Sequence, residues 1–241
     1  MNTSSFRIPQ NPARPGRPDR KQLSEHVAAY VRDAIMVGEL TASTFIRTEH
    51  IATELGVSAT PVREGLMILQ SEGTVRWEPR RGFRVIPVTR QDVEDLFKVQ
   101  SFIAGELAAK VALLIKPAAV AELRMMQGQL EAAAAAGDVA EVDTLNHKIH
   151  RAINIIPDAQ RLTSLLGITV HYVPLNYFGN IDGWAEASAH DHEPVFQALE
   201  SGDADLARSA MAEHIRHIGR LLTDYLEQRG VFARSEQARV S

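Results

Sequence analysis

The sequence predicts a mainly α protein in two parts: three short helices closed by a β-hairpin, then an all-α antiparallel helical bundle. Three observations carry this expectation. Apolar residues recur at helical spacing in three short segments between residues 22 and 72. Two short alternating runs around a Gly-containing loop, "TVRWEPRRGFRV" (74–85), follow them. Beyond residue 90 no β pattern of any length occurs, and helical segments meet at repeated Gly-Asp joints.

Residues 1–20, rich in Pro, Arg, Asn and Ser, cannot bury a core and are expected to form a flexible arm. The first helix is expected over Gln22–Gly38, with Leu23, Val27, Val31 and Ile35 on one side. The second, Thr48–Leu55, runs into Gly56, a natural residue to follow a helix end. The third, Ser58–Glu72, opens on a Ser/Thr cap with Pro61 in its first turn, where a missing N–H costs nothing. Val75/Trp77 and Phe83/Val85 then alternate around a Gly-containing loop. This order, a helix–turn–helix followed by a hairpin, is that of a winged helix, expected over residues 21–86.

Residues 87–91 are the expected linker, within which Thr89 stands three before Asp92, the spacing of a capping box. The bundle is expected over 92–229, in segments 92–115, 117–136, 138–156, 158–179, about 190–201 and 203–229, with 230–241 as a tail. Gly137-Asp138 and Gly202-Asp203 each end one helix at Gly and cap the next with Asp.

Composition narrows the function classes. The longest wholly apolar runs are five residues, far short of a membrane span, so no membrane partner is expected. The N-terminus lacks the apolar core of a secretory signal. With no cysteine there is neither a disulfide framework nor a thiolate metal site, which suits a cytoplasmic protein. The net charge of −4 is unevenly spread: residues 1–90 hold 13 Lys/Arg against 9 Asp/Glu, and residues 91–241 hold 13 against 21. That asymmetry fits a polyanion-facing module joined to an acidic one.

A helix–turn–helix sets the first turn of its second helix into the DNA major groove. Here that turn carries Ser58, Thr60 and Arg63. The hydroxyls suit phosphates or base edges, and Arg63 is the long cation able to grip guanine O6/N7 in bidentate fashion. Arg80, Arg81 and Arg84 crowd the hairpin, and Gly82 permits close backbone approach to a phosphate. Arg47 precedes the second helix and joins this candidate set. Few contacts come from one winged helix, so a homodimer on a pseudo-palindromic DNA operator is expected.

Seven of the nine histidines lie after residue 140, and helical phase sorts them. At about 100° per residue, Asn146 and His150 lie roughly 70° and 110° from the apolar centre of their helix, whereas His147 lies roughly 170° away. His214 falls amid Ala210, Met211 and Ile218, and His192 shares a side with Val195 and Leu199, while His190 points away. Three helices thus turn an imidazole inward, with the Asn146 carbonyl beside one. Three His and an oxygen donor suit zinc, nickel or another first-row divalent ion. The imidazoles must be neutral to bind it, so affinity is expected to weaken below about pH 6.5. The same donor set leaves two rivals: a helical metalloenzyme, and a metal-stabilised interaction module. H-E-x-x-H, G-x-S-x-G and Gly-rich phosphate motifs are all missing from the sequence.

The strings "LGVSATPVREGL", "SEGTV" and "RRGFRV" resemble the DNA-binding domain of GntR-type transcriptional regulators over Leu23–Val85. "DVEDLFKVQ", "IHRAI" and "HEPVFQALESGDADLARSAMAEHI" resemble the helical FCD effector domain of their FadR-like subfamily, from Asp92 to about Glu227. The resemblance implies a ligand-responsive regulator, expected to be a repressor. It also implies metal ligands at Asn146, His150, His192 and His214, and a small-molecule effector, expected to be a carboxylate. Ala59 stands where the family usually has Arg, Gly65 where it has Ala, and "TASTF" where it has a Pro-Gly turn. Asn146 replaces a commoner Asp, and Gln100 an Arg that faces the effector pocket. Gly65 is expected to weaken its helix by about 0.5–1 kcal/mol.

Overall fold

A computed structural model describes residues 20–36, 38–170, 172, 178–179 and 181–232. Residues 1–19 of the expected arm and 233–241 of the expected tail lie outside them. The N-terminal unit runs α1 (Arg20–Met36), β1 (Phe45–Ile46), α2 (Thr48–Leu55), α3 (Ala59–Ser71), β2 (Val75–Glu78) and β3 (Gly82–Val85). α2 ends as its sequence requires, with Gly56 in the left-handed region at φ 64°. Ser58 is the residue before α3, but its side chain makes no capping bond. The hairpin pairs Val75 with Val85 and Trp77 with Phe83. β1 adds a third strand, Phe45 opposite Arg84 and Ile46 opposite Phe83, in the order β1-β3-β2. Two residues are too short to show alternation, which is why "TASTF" gave no strand signal.

Val27, Val31, Val62, Leu66 and Leu69 are fully buried and join α1 to α3 across one small core. Arg32 of α1 adds a bidentate grip on Glu72, both Oε atoms lying 2.9 Å from Nη2. Gly65 sits at the crossing: a Cβ there would come within 2.8 Å of the Ser24 carbonyl oxygen and 2.8 Å of Val27 Cγ1. The expectation that Gly65 merely weakens its helix is therefore corrected, because its bare backbone lets α1 and α3 touch. Gly65→Ala is expected to destabilise the protein by about 1–2 kcal/mol, overpacking outweighing the gain in helix propensity. Urea unfolding measures this, and a higher midpoint for the Ala variant would refute it.

The C-terminal unit contains α4 (Arg90–Ala112), α5 (Pro117–Ala135), α6 (Val139–Ile155), α7 (Gln160–Val170), α8 (Trp184–His190), α9 (His192–Ser201) and α10 (Ala204–Gln228). α4 starts at Arg90 rather than 92, because Thr89 and Asp92 close a reciprocal capping box that makes Arg90 its first residue. Asp138 and Asp203 cap α6 and α10 through their side chains. Gly137 and Gly202 take up φ of 71° and 69° just before them. The helix expected over 158–179 is shorter: α7 ends at Val170, and most of 171–177 lies outside the described residues. α8 was not foreseen.

α4 and α10 pack lengthwise. Gly105 faces the Arg208 carbonyl oxygen and Gly219 lies beneath the Phe97 ring, and a Cβ at either would collide. The core they help enclose includes Leu107, Leu130, Ile149, Phe196, Met211 and Leu222. α6, α9 and α10 thereby converge on one point inside the bundle.

Candidate metal centre and nucleic-acid interface

At that point three imidazoles meet. His150 Nε2 lies 3.1 Å from His214 Nε2 and 3.3 Å from His192 Nε2. His192 and His214 are buried, and His150 is half-buried where its ring borders a cavity. Burial and the neighbouring imidazoles push the His150 pKa down to about 3 and hold His192 well below its ordinary range. Both rings are neutral at physiological pH.

The tautomers follow from the surrounding bonds. Gln127 Nε2 donates to the Ala189 carbonyl at 2.8 Å and to Glu131 Oε1 at 3.2 Å. That turns Gln127 Oε1 toward His192 Nδ1, 2.9 Å away. A carbonyl oxygen only accepts, so Nδ1 carries the proton and His192 Nε2 presents a lone pair. His214 Nδ1 faces Asp191 Oδ2 at 3.5 Å, too long and misaligned for a good hydrogen bond yet favourable for an N–H. His214 Nε2 is then a lone pair as well. His150 Nε2 can offer a single hydrogen, so at least one lone-pair contact among the three stays unmatched.

A cation would resolve this. Nitrogen ligands about 2.1 Å from a first-row ion stand roughly 3.0–3.4 Å apart, the separation His150 Nε2 already has from each of the other two nitrogens, and all three lie within 4.8 Å of one another. Asn146 Oδ1 is buried without a hydrogen-bond partner, an orphaned acceptor that a cation or a ligand hydroxyl would satisfy. The donor chemistry therefore fits a divalent metal. His190 is exposed at the end of α8, its Nδ1 2.7 Å from the Glu186 carbonyl oxygen, and stays outside the cluster.

A cavity of about 410 Å³ opens beside the histidines and is bordered by Asn146, His150, His214 and Gln100. Gln100 is buried, and its Nε2 donates one hydrogen to the Thr169 carbonyl at 3.0 Å, so part of the amide expected to serve an effector already serves α7. His147, expected to face only solvent, is exposed but reaches the cavity mouth. Three participants escaped sequence reasoning: Gln127, Asp191 and Arg151. Gln127 holds the His192 ring and Asp191, bonded to His217 Nδ1 at 2.6 Å, lies close to His214 Nδ1, contacts that no local spacing reports. Arg151 directly follows His150, and that adjacency was a signal available in the sequence.

The N-terminal unit carries a second concavity, about 680 Å³, between the start of α2, α3 and the hairpin. Arg47, Arg63, Arg80, Arg81 and Gly82 all border it. Glu64 is taken by Arg20, and Arg63 makes no ion pair among the described residues. Arg81 rests its guanidinium 5.8 Å from the Phe45 ring centroid. Ser58 and Thr60 are exposed at the start of α3. Arg84 differs from its neighbours: it is half-buried, and its Nε lies 2.7 Å from Glu78 Oε1 across the hairpin. Gly82 adopts φ 95°, a backbone reason for glycine independent of any phosphate. Met67 and Gln70 share the concavity one and two turns beyond Arg63, and the sequence reading did not single them out.

The family model "Bacterial regulatory proteins, gntR family" matches residues 23–85, and the model of the FCD domain matches residues 95–217, more than half of the chain. The chain belongs to the GntR family. This GntR regulator is 27% identical to the uncharacterized regulator YdhC of Bacillus subtilis, over 82% of the chain and 90% of that protein. It is 26% identical to a probable D-xylose utilization operon transcriptional repressor of Paenarthrobacter nicotinovorans, over 78% of the chain and 85% of that protein. The solved structure of Escherichia coli McbR/YncC shares its fold, with a TM-score of 0.63 at 24% identity, covering 84% of this chain and 98% of that one. Such GntR proteins are transcriptional regulators and not enzymes, which removes the metalloenzyme rival. Among the described residues no helix is long and apolar enough to cross a membrane.

Proposed function

We propose that this GntR regulator is a metal-centred, effector-responsive repressor that binds a pseudo-palindromic operator as a homodimer. Residues 21–86 are the DNA-binding part and 92–229 the effector part. The observation that carries the reading is the convergence of three imidazole nitrogens beside a cavity that Asn146, its Oδ1 buried without a partner, also borders. His150, His192 and His214 hold the ion, zinc or nickel, with Asn146 Oδ1 as a weaker fourth donor. When bound, the ion supplies an electrophilic coordination site for an effector oxygen.

The chain's own residues do the rest. Gln127 orients the His192 imidazole, as outer partners of metal-bound histidines generally do, and the Asp191 carboxylate adds negative charge beside His214. Effector binding biases the bundle between two arrangements, which requires unequal affinity for the two states. The α3 start, Arg47 and the hairpin arginines meet the operator, and the paired Arg84 contributes least. Repression is favoured by relatives such as the Paenarthrobacter protein, whose printed name is that of a repressor.

Footprinting of the metal-loaded full chain on genomic fragments tests the whole reading. The expected pattern is two protected half-sites one helical turn, about 10–10.5 base pairs, or a multiple of it apart. A single unrepeated half-site would count against the dimer, and no sequence-specific protection at all would sink the proposal.

A further inference from the structure

The effector cavity has one polar wall. α6 supplies it: Asn146, His150 and Asn154 stand at i, i+4 and i+8, with Asp143, His147 and Arg151 along the adjoining edge. The facing walls are mostly apolar, Gln100, Thr163 and His214 apart, and come from four other segments: Phe97 of α4, Leu166 and Val170 of α7, Phe178 with Trp184, and Ile218 of α10. Phe178 and Trp184 stack at 6.1 Å between ring centroids, which makes that end flat and aromatic.

Away from α6 the cavity borders few polar groups, Gln100, Thr163 and the His214 ring, and two of them already donate to backbone. Gln100 Nε2 donates to the Thr169 carbonyl, and Thr163 Oγ1 donates to the Asn154 carbonyl at 3.1 Å. A ligand with oxygens on every side, such as a sugar acid or a hydroxy-dicarboxylate, would strand most of them against hydrocarbon. The charges at the mouth are also one-sided in number. Arg151 makes no ion pair among the described residues, and two turns away Asp143 would repel a second carboxylate. The cavity's 410 Å³ lies toward the lower end of ligand pockets, which run from about 300 to 1,000 Å³.

We infer that the effector is a monocarboxylate with a compact apolar body, its carboxylate held on the α6 wall and selected by Arg151. This rests on the effector-pocket reading above. The carboxylate faces α6 and the imidazoles, and the body fills the space between Phe97, Trp184 and Ile218.

Calorimetry on the cobalt-loaded full chain tests it, with phenylacetate, octanoate, 2-phenylethanol, citrate and gluconate as probes and metal content measured in parallel. Phenylacetate or octanoate is expected to bind at least about tenfold more tightly than citrate or gluconate. Arg151→Met is expected to weaken the monocarboxylates about tenfold while leaving 2-phenylethanol binding and metal content unchanged. Ile155→Asn, at an exposed position on the cavity edge, is expected to weaken octanoate without unfolding the chain. Tighter binding of citrate or gluconate, an unaffected Arg151→Met variant, or no binding by any probe would each overturn the inference. Metal uptake that survives His150→Ala would strike the metal-centre reading alone.

Discussion

Replacing His192 by Ala is expected to lower divalent-metal affinity by more than about a hundredfold, beyond the 10–100-fold typical of outer-shell changes. The variant removes one of three convergent nitrogens and strips Gln127 Oε1 of its partner. His190→Ala, two residues away at an exposed position, is expected to bind metal normally. Metal content after dialysis against a chelator reads both, with thermal unfolding as the check on folding. Equal losses in the two variants would dismiss the three-histidine centre.

The acid response differs from the one read from unperturbed histidines. Burial holds the His150 pKa at about 3, so the folded, metal-free His150 ring stays neutral through mildly acid pH. The unfolded chain takes up that proton near pH 6.5. Between about pH 6.5 and pH 3 the unfolded state therefore binds more protons, and folding stability is lost progressively as pH falls. Urea midpoints of metal-stripped protein are expected to drop across this window, with a shallower slope for His150→Ala. A midpoint independent of pH would contradict the burial argument.

Arg63→Ala is expected to cost roughly 1–3 kcal/mol in operator affinity and to relax the preference at one base position. Arg63 is exposed on α3, borders the same concavity as Arg47 and the hairpin tip, and is not tied up by Glu64. The double change of Arg80 and Arg81 to Ala should instead weaken all sequences alike and flatten the salt dependence, because phosphate contacts release counterions without reading bases. Selection of preferred sites from a randomised library, for the wild type and Arg63→Ala, distinguishes the two behaviours. Unchanged affinity and base preference in Arg63→Ala would show that α3 does not sit in the major groove.

What the sequence determined by itself was whatever a few consecutive residues decide. Gly56 ends α2, Thr89 and Asp92 box the start of α4, and Asp138 and Asp203 cap the helices that follow a left-handed Gly. Each depends on backbone groups within about one turn, so spacing alone carries the information. Helical phase likewise turned His150, His192 and His214 inward, and the separation of His190 from them follows from the same periodicity. Tertiary structure decided the features that join distant segments. β1 is two residues that become a strand only by pairing with β3. Gly65 is a close-contact residue because Ser24 and Val27 lie across from it. Gln127 selects the His192 tautomer from 65 positions away in the chain. One amide hydrogen of Gln100 goes to Thr169, a partner that exists only once α7 packs on α4. Helix periodicity says which way a side chain faces, and only packing says what it meets there.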